Sequence, residues 1–179
     1  MKETQIDWRK TVEAILEKAN RPFVPISKSF IQLPRGSEKR SSVLSKFVTN
    51  GDLRGLKAYL LIAASASSPD TDNEWYTSLP LQTWARAFGC SETAGSVATA
   101  KTAATRIFSR LQERQLIEKS RCGRERKIKV KLLAQDGSGE EYQRPASRYI
   151  RLSHDFWKRR LDEDISLPAL AMLLVVLGE

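Results

Sequence analysis

Apolar residues first recur at helical spacing in DWRKTVEAILEKAN, residues 7–20, where Trp8, Val12, Ile15 and Leu16 share one face before Arg21-Pro22 stops the run. This predicts an amphipathic helix. FVPISKSFIQL, residues 23–33, mixes β-branched and aromatic residues with prolines and predicts an extended stretch packed on another element. The polar run RGSEKRSS, residues 35–42, reads as a loop. Residues 42–50 read as a short helix ended by Asn50-Gly51, and LRGLKAYLLIAASA, residues 53–66, as a strongly apolar one. Residues 67–80 carry turn formers throughout, with a short strand expected at 74–77.

Pro80 suits the first position of a helix PLQTWARAF that places Leu81, Trp84 and Phe88 near one face. Gly89 closes it, and GCSETAGS predicts a turn before a long helix over residues 97–115. In that helix Val97, Ala100, Ala104, Ile107, Phe108 and Leu111 form an apolar stripe, while Ala98, Thr99, Thr102, Thr105, Arg106, Ser109 and Arg110 occupy the opposite arc. LIEKSR and KIKVKLL then predict a hairpin with CGRE at its tip. In its second strand Ile128, Val130 and Leu132 alternate with Lys127, Lys129 and Lys131, so one face packs inward and the other stays cationic.

Residues 135–147 read as a turn or linker, RYIRL as a returning strand, and SHDFWKRRL as a short helix capped by Ser153. Ser166 caps a last helix through LPALAMLLVVL, so apolar throughout that it is expected to belong to a further unit or to pack on a partner. The pattern divides into an N-terminal flank (1–50), a helix-and-hairpin domain (51–134) and a C-terminal linker with helices (135–179). The fold class expected is α+β, mainly helical.

Composition changes this picture only where charge is located. The 179 residues carry a formal net charge of +9. Residues 101–131 hold eleven basic side chains (Lys101, Arg106, Arg110, Arg114, Lys119, Arg121, Arg124, Arg126, Lys127, Lys129 and Lys131) against Glu113, Glu118 and Glu125, and so account for all but one of those charges. A cationic long helix and hairpin together suit a polyanion, since lysine neutralises phosphates and arginine bonds them and guanine bidentately. The same cluster as a merely solvated face is the competing reading.

Cys90 and Cys122 lack CxxC spacing and His154 is the single histidine, so a zinc site, and a cofactor of any kind, is not expected. Hydrolysis or strand transfer needs clustered histidines, a carboxylate set or a tyrosine with basic partners, none of which the sequence groups together. An enzyme is not expected. The apolar run at 167–177 is too short to span a bilayer, which predicts a soluble, cytoplasmic, nucleoid-associated protein.

The order of a helix, LPLQTWARAFGCSETAGS, a long helix and LIEKSRCGRERKIKVKLL resembles the winged helix-turn-helix superfamily of DNA-binding proteins. With its flanks YIRLSHDFW and LPALAMLL it also resembles bacterial plasmid replication initiators and related regulators, which pair two winged helices. The resemblance implies a recognition helix in the major groove of double-stranded DNA and a wing on the backbone or minor groove. Contacts are then expected from Thr99, Lys101, Thr102, Thr105, Arg106, Ser109 and Arg110 on the helix, and from Arg121, Arg124, Arg126, Lys127 and Lys129 on the wing. A replication initiator requires a further winged-helix unit, whereas a transcriptional repressor forms a homodimer to read a palindrome. A winged helix that docks a protein through its apolar C-terminal helix is the alternative.

Overall fold

The computed structural model describes residues 7–39 and 41–179; the first six residues of the N-terminal flank and Arg40 of the polar loop lie outside them. The chain folds as α+β, with helices packed about two small antiparallel sheets. No described helix is long and apolar enough to cross a membrane.

Helix α1 (Trp8–Glu17) begins on Asp7, whose carboxylate accepts the Arg9 N–H at 3.0 Å, and buries Val12, Ile15 and Leu16. The extended stretch expected next is half strand. After β1 (Phe23–Ser27), the Ser27 hydroxyl accepts the Ser29 N–H and turns the chain into the single helical turn α2 (Lys28–Ile31), which buries Phe30 completely. Helix α3 (Val43–Thr49) and the nearly all-buried α4 (Leu53–Ser65) follow, separated by Gly51 in the left-handed region.

Strand β2 (Tyr76–Leu79) lies two residues later than the expected 74–77. It runs directly into α5 (Leu81–Ala87), so Pro80 is extended, at φ −56° and ψ 145°, and stands before the helix rather than inside it. Gly89, at φ +69°, ends α5, and the expected plain turn instead contains the helical turn α6 (Cys90–Thr93). Helix α7 (Val97–Glu113) is followed by β3 (Ile117–Cys122) and β4 (Lys127–Leu132). Last come β5 (Tyr149–Ser153), the short α8 (Asp155–Lys158) and α9 (Leu167–Val176). Ser153 accepts the Asp155 N–H at 3.1 Å, but His154 stands immediately before α8, one residue later than the expected cap.

One sheet has the order β2-β4-β3, with β4 central. Ile128, Val130 and Leu132 point from it into the core, and the Trp84 indole donates to the Ile128 carbonyl at 3.3 Å. Trp84, Phe88 and Phe108 pack as three rings with centroids 5.3–5.8 Å apart, which joins α5 to α7. The other sheet pairs β1 with β5, Pro25 facing Arg151. Two segments assigned by sequence to opposite flanks therefore meet. The outer edge of β1 is covered by buried Gln135, whose side-chain oxygen accepts the Ser27 N–H at 2.6 Å and whose nitrogen donates to the Pro25 carbonyl at 3.2 Å. One amide thus satisfies a donor and an acceptor that a third strand would otherwise take.

Candidate nucleic-acid interface

Helix α7 is held from behind. Ala100, Ala104, Ile107, Phe108 and Leu111 are buried as its periodicity predicts, but Val97 is 48% exposed because the helix projects its first turn beyond the body. The Ser96 hydroxyl caps that turn by accepting the Thr99 N–H at 3.1 Å, and no acidic side chain lies within it. Its free backbone N–H groups and positive dipole end therefore face solvent without a competing carboxylate.

Thr99, Thr102, Arg106 and Ser109 form one exposed stripe along α7, at the three- and four-residue steps that keep side chains on a single face. Lys101 and Thr105 flank it, half-buried. The hydroxyls share a feature: Thr102 donates to the Ala98 carbonyl, Thr105 to that of Lys101 and Ser109 to that of Thr105, at 2.9–3.1 Å. With their hydrogens turned into the helix, these groups offer acceptor lone pairs, and the threonines methyls, to the outside.

Arg110 belongs to a different construction. Asp52, 8% exposed, receives Arg110 Nε and Nη2 at 3.1 and 3.0 Å, Arg114 Nη1 at 2.7 Å and the Gly55 N–H at 2.9 Å. Burial acts to raise the Asp52 pKa, but the two guanidiniums and the backbone donor together hold it below the ordinary value. Arg114, 12% exposed, also lies over the Phe47 ring at 4.3 Å. Arg110 is thus a tie between the start of α4 and the end of α7, although sequence spacing placed it on the outward arc.

In the hairpin the lysines and the arginines differ in what they already contact. Lys127, Lys129 and Lys131 do share the outer face of β4, but each has a carboxylate partner. Glu74, just before β2, takes Lys129 at 2.6 Å and Lys131 at 2.9 Å, while Lys127 meets Glu125 at 2.8 Å. The hydrogen bonds from Lys129 and Lys131 hold the Glu74 carboxyl down to about 2, so mild acid does not release the lysines. On the other side of the sheet, Lys119 and Arg121 face Val130 and Ile128 across the ladder and thus share the face toward α7, where Lys119 lies 5.9 Å from the Phe108 ring. Lys119 was not singled out as a contact; its two-residue spacing from buried Ile117 was the signal.

At the hairpin tip, Arg124 and Arg126 are exposed, and the Arg126 N–H closes the turn on the Gly123 carbonyl at 3.1 Å. Arg126 has φ +49°, a conformation that glycine adopts without the strain a side chain brings. Among the described residues, no carboxylate lies within 4.0 Å of the cationic groups of Lys101, Arg106, Lys119, Arg121, Arg124 or Arg126. These six remain the uncommitted charges of α7 and the hairpin.

His154 is buried, its ring 6.0 Å from that of Trp157 and its Nε2 without a partner among the described residues. Burial lowers its pKa, and the packing is that of a core side chain. The described residues contain no group of three or more His, Cys, Asp or Glu side chains placed to hold a metal ion. No protein-family model matches the chain, and no curated protein or solved structure shows significant similarity to it.

Proposed function

We propose that residues 53–132 form a winged helix-turn-helix that binds double-stranded DNA, with α7 in the major groove and the β3–β4 hairpin as a wing on the backbone or minor groove. The observation that carries this reading is the set of six uncommitted cations beside the outward hydroxyl stripe of α7. The order α4, β2, α5, α6, α7, β3 and β4, with β2 joining β4 to complete a three-stranded sheet, supports the fold assignment. Arg126 in a left-handed turn supports a role for its side chain, since glycine at that position relieves the backbone.

In this arrangement Arg106 reads a base edge and the wing arginines neutralise phosphates. The threonines, offering acceptors and methyls, suit the amino groups of adenine or cytosine and the methyl of thymine. The biological role proposed is that of a replication initiator or a transcriptional regulator, which use the same surface. Electrophoretic or fluorescence-anisotropy titration of DNA from the protein's own coding region against random duplex tests the reading. Tighter, salt-dependent binding to the local DNA is expected; no binding to either refutes it.

Arg106→Ala is expected to reduce discrimination between a preferred site and random DNA by about 1–3 kcal/mol while leaving random-duplex affinity nearly unchanged. An equal loss on both makes Arg106 a phosphate contact. Glu74→Gln frees Lys129 and Lys131, so its expected result is stronger binding to every duplex and a salt slope steeper by up to ~2 units. A slope unchanged in the same titration removes those lysines from the interface.

Protein contact through α9 is the second reading. Leu170 and Leu174 are buried, whereas Met172 is 59% and Val176 63% exposed. This apolar face is where such a contact would form.

A further inference from the structure

Two stretches far apart in the chain carry cations without anions. Residues 18–37 hold four basic side chains and residues 142–154 hold three, and neither stretch contains an aspartate or a glutamate. The pairing of β1 with β5 brings them together, and the Lys28 N–H donates to the Arg148 carbonyl at 2.8 Å where the ladder ends. A net count over the whole chain hides this second concentration of charge, because acidic residues elsewhere balance it.

The β1–β5 ribbon has one face in the core and one outside it. Val24, Ile26, Ile150 and Leu152 are buried, so the alternation of side chains places Phe23, Pro25, Tyr149 and Arg151 on the opposite face. Phe23, Pro25 and Tyr149 are half-buried there, and Arg151 is exposed. The Arg151 guanidinium lies 5.1 Å from the centroid of the Phe23 ring and 5.8 Å from that of Tyr149, and it donates to the Tyr149 hydroxyl at 3.5 Å. Lys28 and Arg148 stand exposed at one end of the same ribbon.

Among the described residues, none of these three cations has a carboxylate within 4.0 Å. Of the two carboxylates that bound residues 142–154, Glu141 lies 3.9 Å from Lys131 and Asp155 lies 3.5 Å from Arg159. Glu17 and Glu38, which bound the other stretch, belong to α1 and the polar loop.

An arginine backed by aromatic rings offers its outer face to a flat π system, while neighbouring cations meet negative charge. We propose that the outer face of the β1–β5 ribbon binds single-stranded nucleic acid, with an unpaired base stacked on Arg151 over Phe23 and Tyr149 and the adjoining phosphates on Lys28 and Arg148. Stacking selects the strandedness. In a duplex the faces of the bases already cover one another, so such a platform engages only an unpaired base. An acidic peptide or a lipid headgroup would use the three cations and leave the rings without a role. The ribbon is a separate sheet from that of the proposed wing, so this site does not rest on the duplex reading.

Fluorescence anisotropy with labelled thymidine and uridine oligonucleotides of about twelve residues tests this, beside an abasic strand with the same phosphates and a random duplex. Both oligonucleotides are expected to bind at least about tenfold more tightly than the abasic strand, and the tighter of the two identifies DNA or RNA as the strand preferred. Arg151→Ala is expected to remove the difference from the abasic strand. Arg151→Lys keeps the charge but loses the planar guanidinium, and is expected to reduce that difference nearly as far, with duplex affinity within about twofold of wild type in both variants. Because Arg151 is exposed, both are expected to fold, with circular dichroism as the check. Abasic binding as tight as that of the oligonucleotides overturns the proposal and reduces the face to a general polyanion surface. So does the absence of binding to either oligonucleotide, a difference that survives Arg151→Ala, or one lost instead on substitution of Arg121, Arg124 and Arg126.

Discussion

Asp52→Ala is expected to destabilise the folded chain by about 3–5 kcal/mol, read as a lowered midpoint in urea denaturation. The carboxylate is the only anion within 4.0 Å of either Arg110 or Arg114 among the described residues, and it also caps the first turn of α4 through Gly55. Alanine removes the cap and strands Arg114, which is too enclosed to recover full hydration. The site has no slack: a Cβ built on Gly55 collides with the Asp52 carboxylate. Gly55→Ala therefore displaces the carboxylate and is expected to destabilise in the same direction. Because the folded-state pKa of Asp52 lies below its ordinary 3.8, the stabilisation is present above that value and is lost as pH falls through the lower folded value. The difference between wild type and Asp52→Ala should accordingly shrink in acid. A difference below about 1 kcal/mol at neutral pH assigns the cluster the weight of an ordinary surface ion pair.

The combined substitution of Arg121, Arg124 and Arg126 by alanine is expected to weaken binding to every duplex by roughly two to three orders of magnitude at about 0.1 M salt, and to flatten the salt slope by up to ~3 units. Each of these arginines is exposed and lacks a carboxylate partner among the described residues, so each is available to displace a condensed counterion. Lys127 is a weaker choice despite its place in the same basic run, since Glu125 already compensates it. Fluorescence anisotropy over a range of salt concentrations reads both quantities. Unchanged affinity and slope remove the hairpin from the proposed interface. A loss confined to one sequence makes it a reader of bases.

The long helix and the hairpin were legible because their information is local. Ile107, Phe108 and Leu111 repeat at the helical period, and Ile128, Val130 and Leu132 at that of a strand, so burial follows from spacing. Which cations remain uncommitted was not legible, because the answer lies in residues far along the chain. Arg110 and Arg106 look equivalent in sequence until Asp52 is brought beneath one of them. Lys129 and Lys131 look like a contact surface until Glu74 arrives beside β4. Residues 23–33 were read as one extended stretch although only the first half is strand, and the pairing of β1 with β5 and the cover of its outer edge by Gln135 were not foreseen, because both join residues far apart in the chain. Spacing predicts which way a side chain points, but a salt bridge between distant segments decides what that side chain is free to do.

The pairing of β1 with β5 also bears on how the protein is made. A ribosome delivers Phe23–Ser27 long before Tyr149–Ser153, and Gln135, which completes the other edge, emerges late as well. Throughout synthesis of the intervening chain, β1 has neither its ladder partner nor its edge cover, while α4 through β4 already contain the residues of the three-stranded sheet and its helices. The central unit is therefore expected to close first and the N-terminal segment to dock last, leaving the nascent β1 open to pairing with another chain during that interval. Pulse proteolysis of ribosome-bound chains in which residues 149–153 are still inside the exit tunnel or have emerged from it on a C-terminal linker would read this order directly, with protection of residues 23–27 arriving only in the latter.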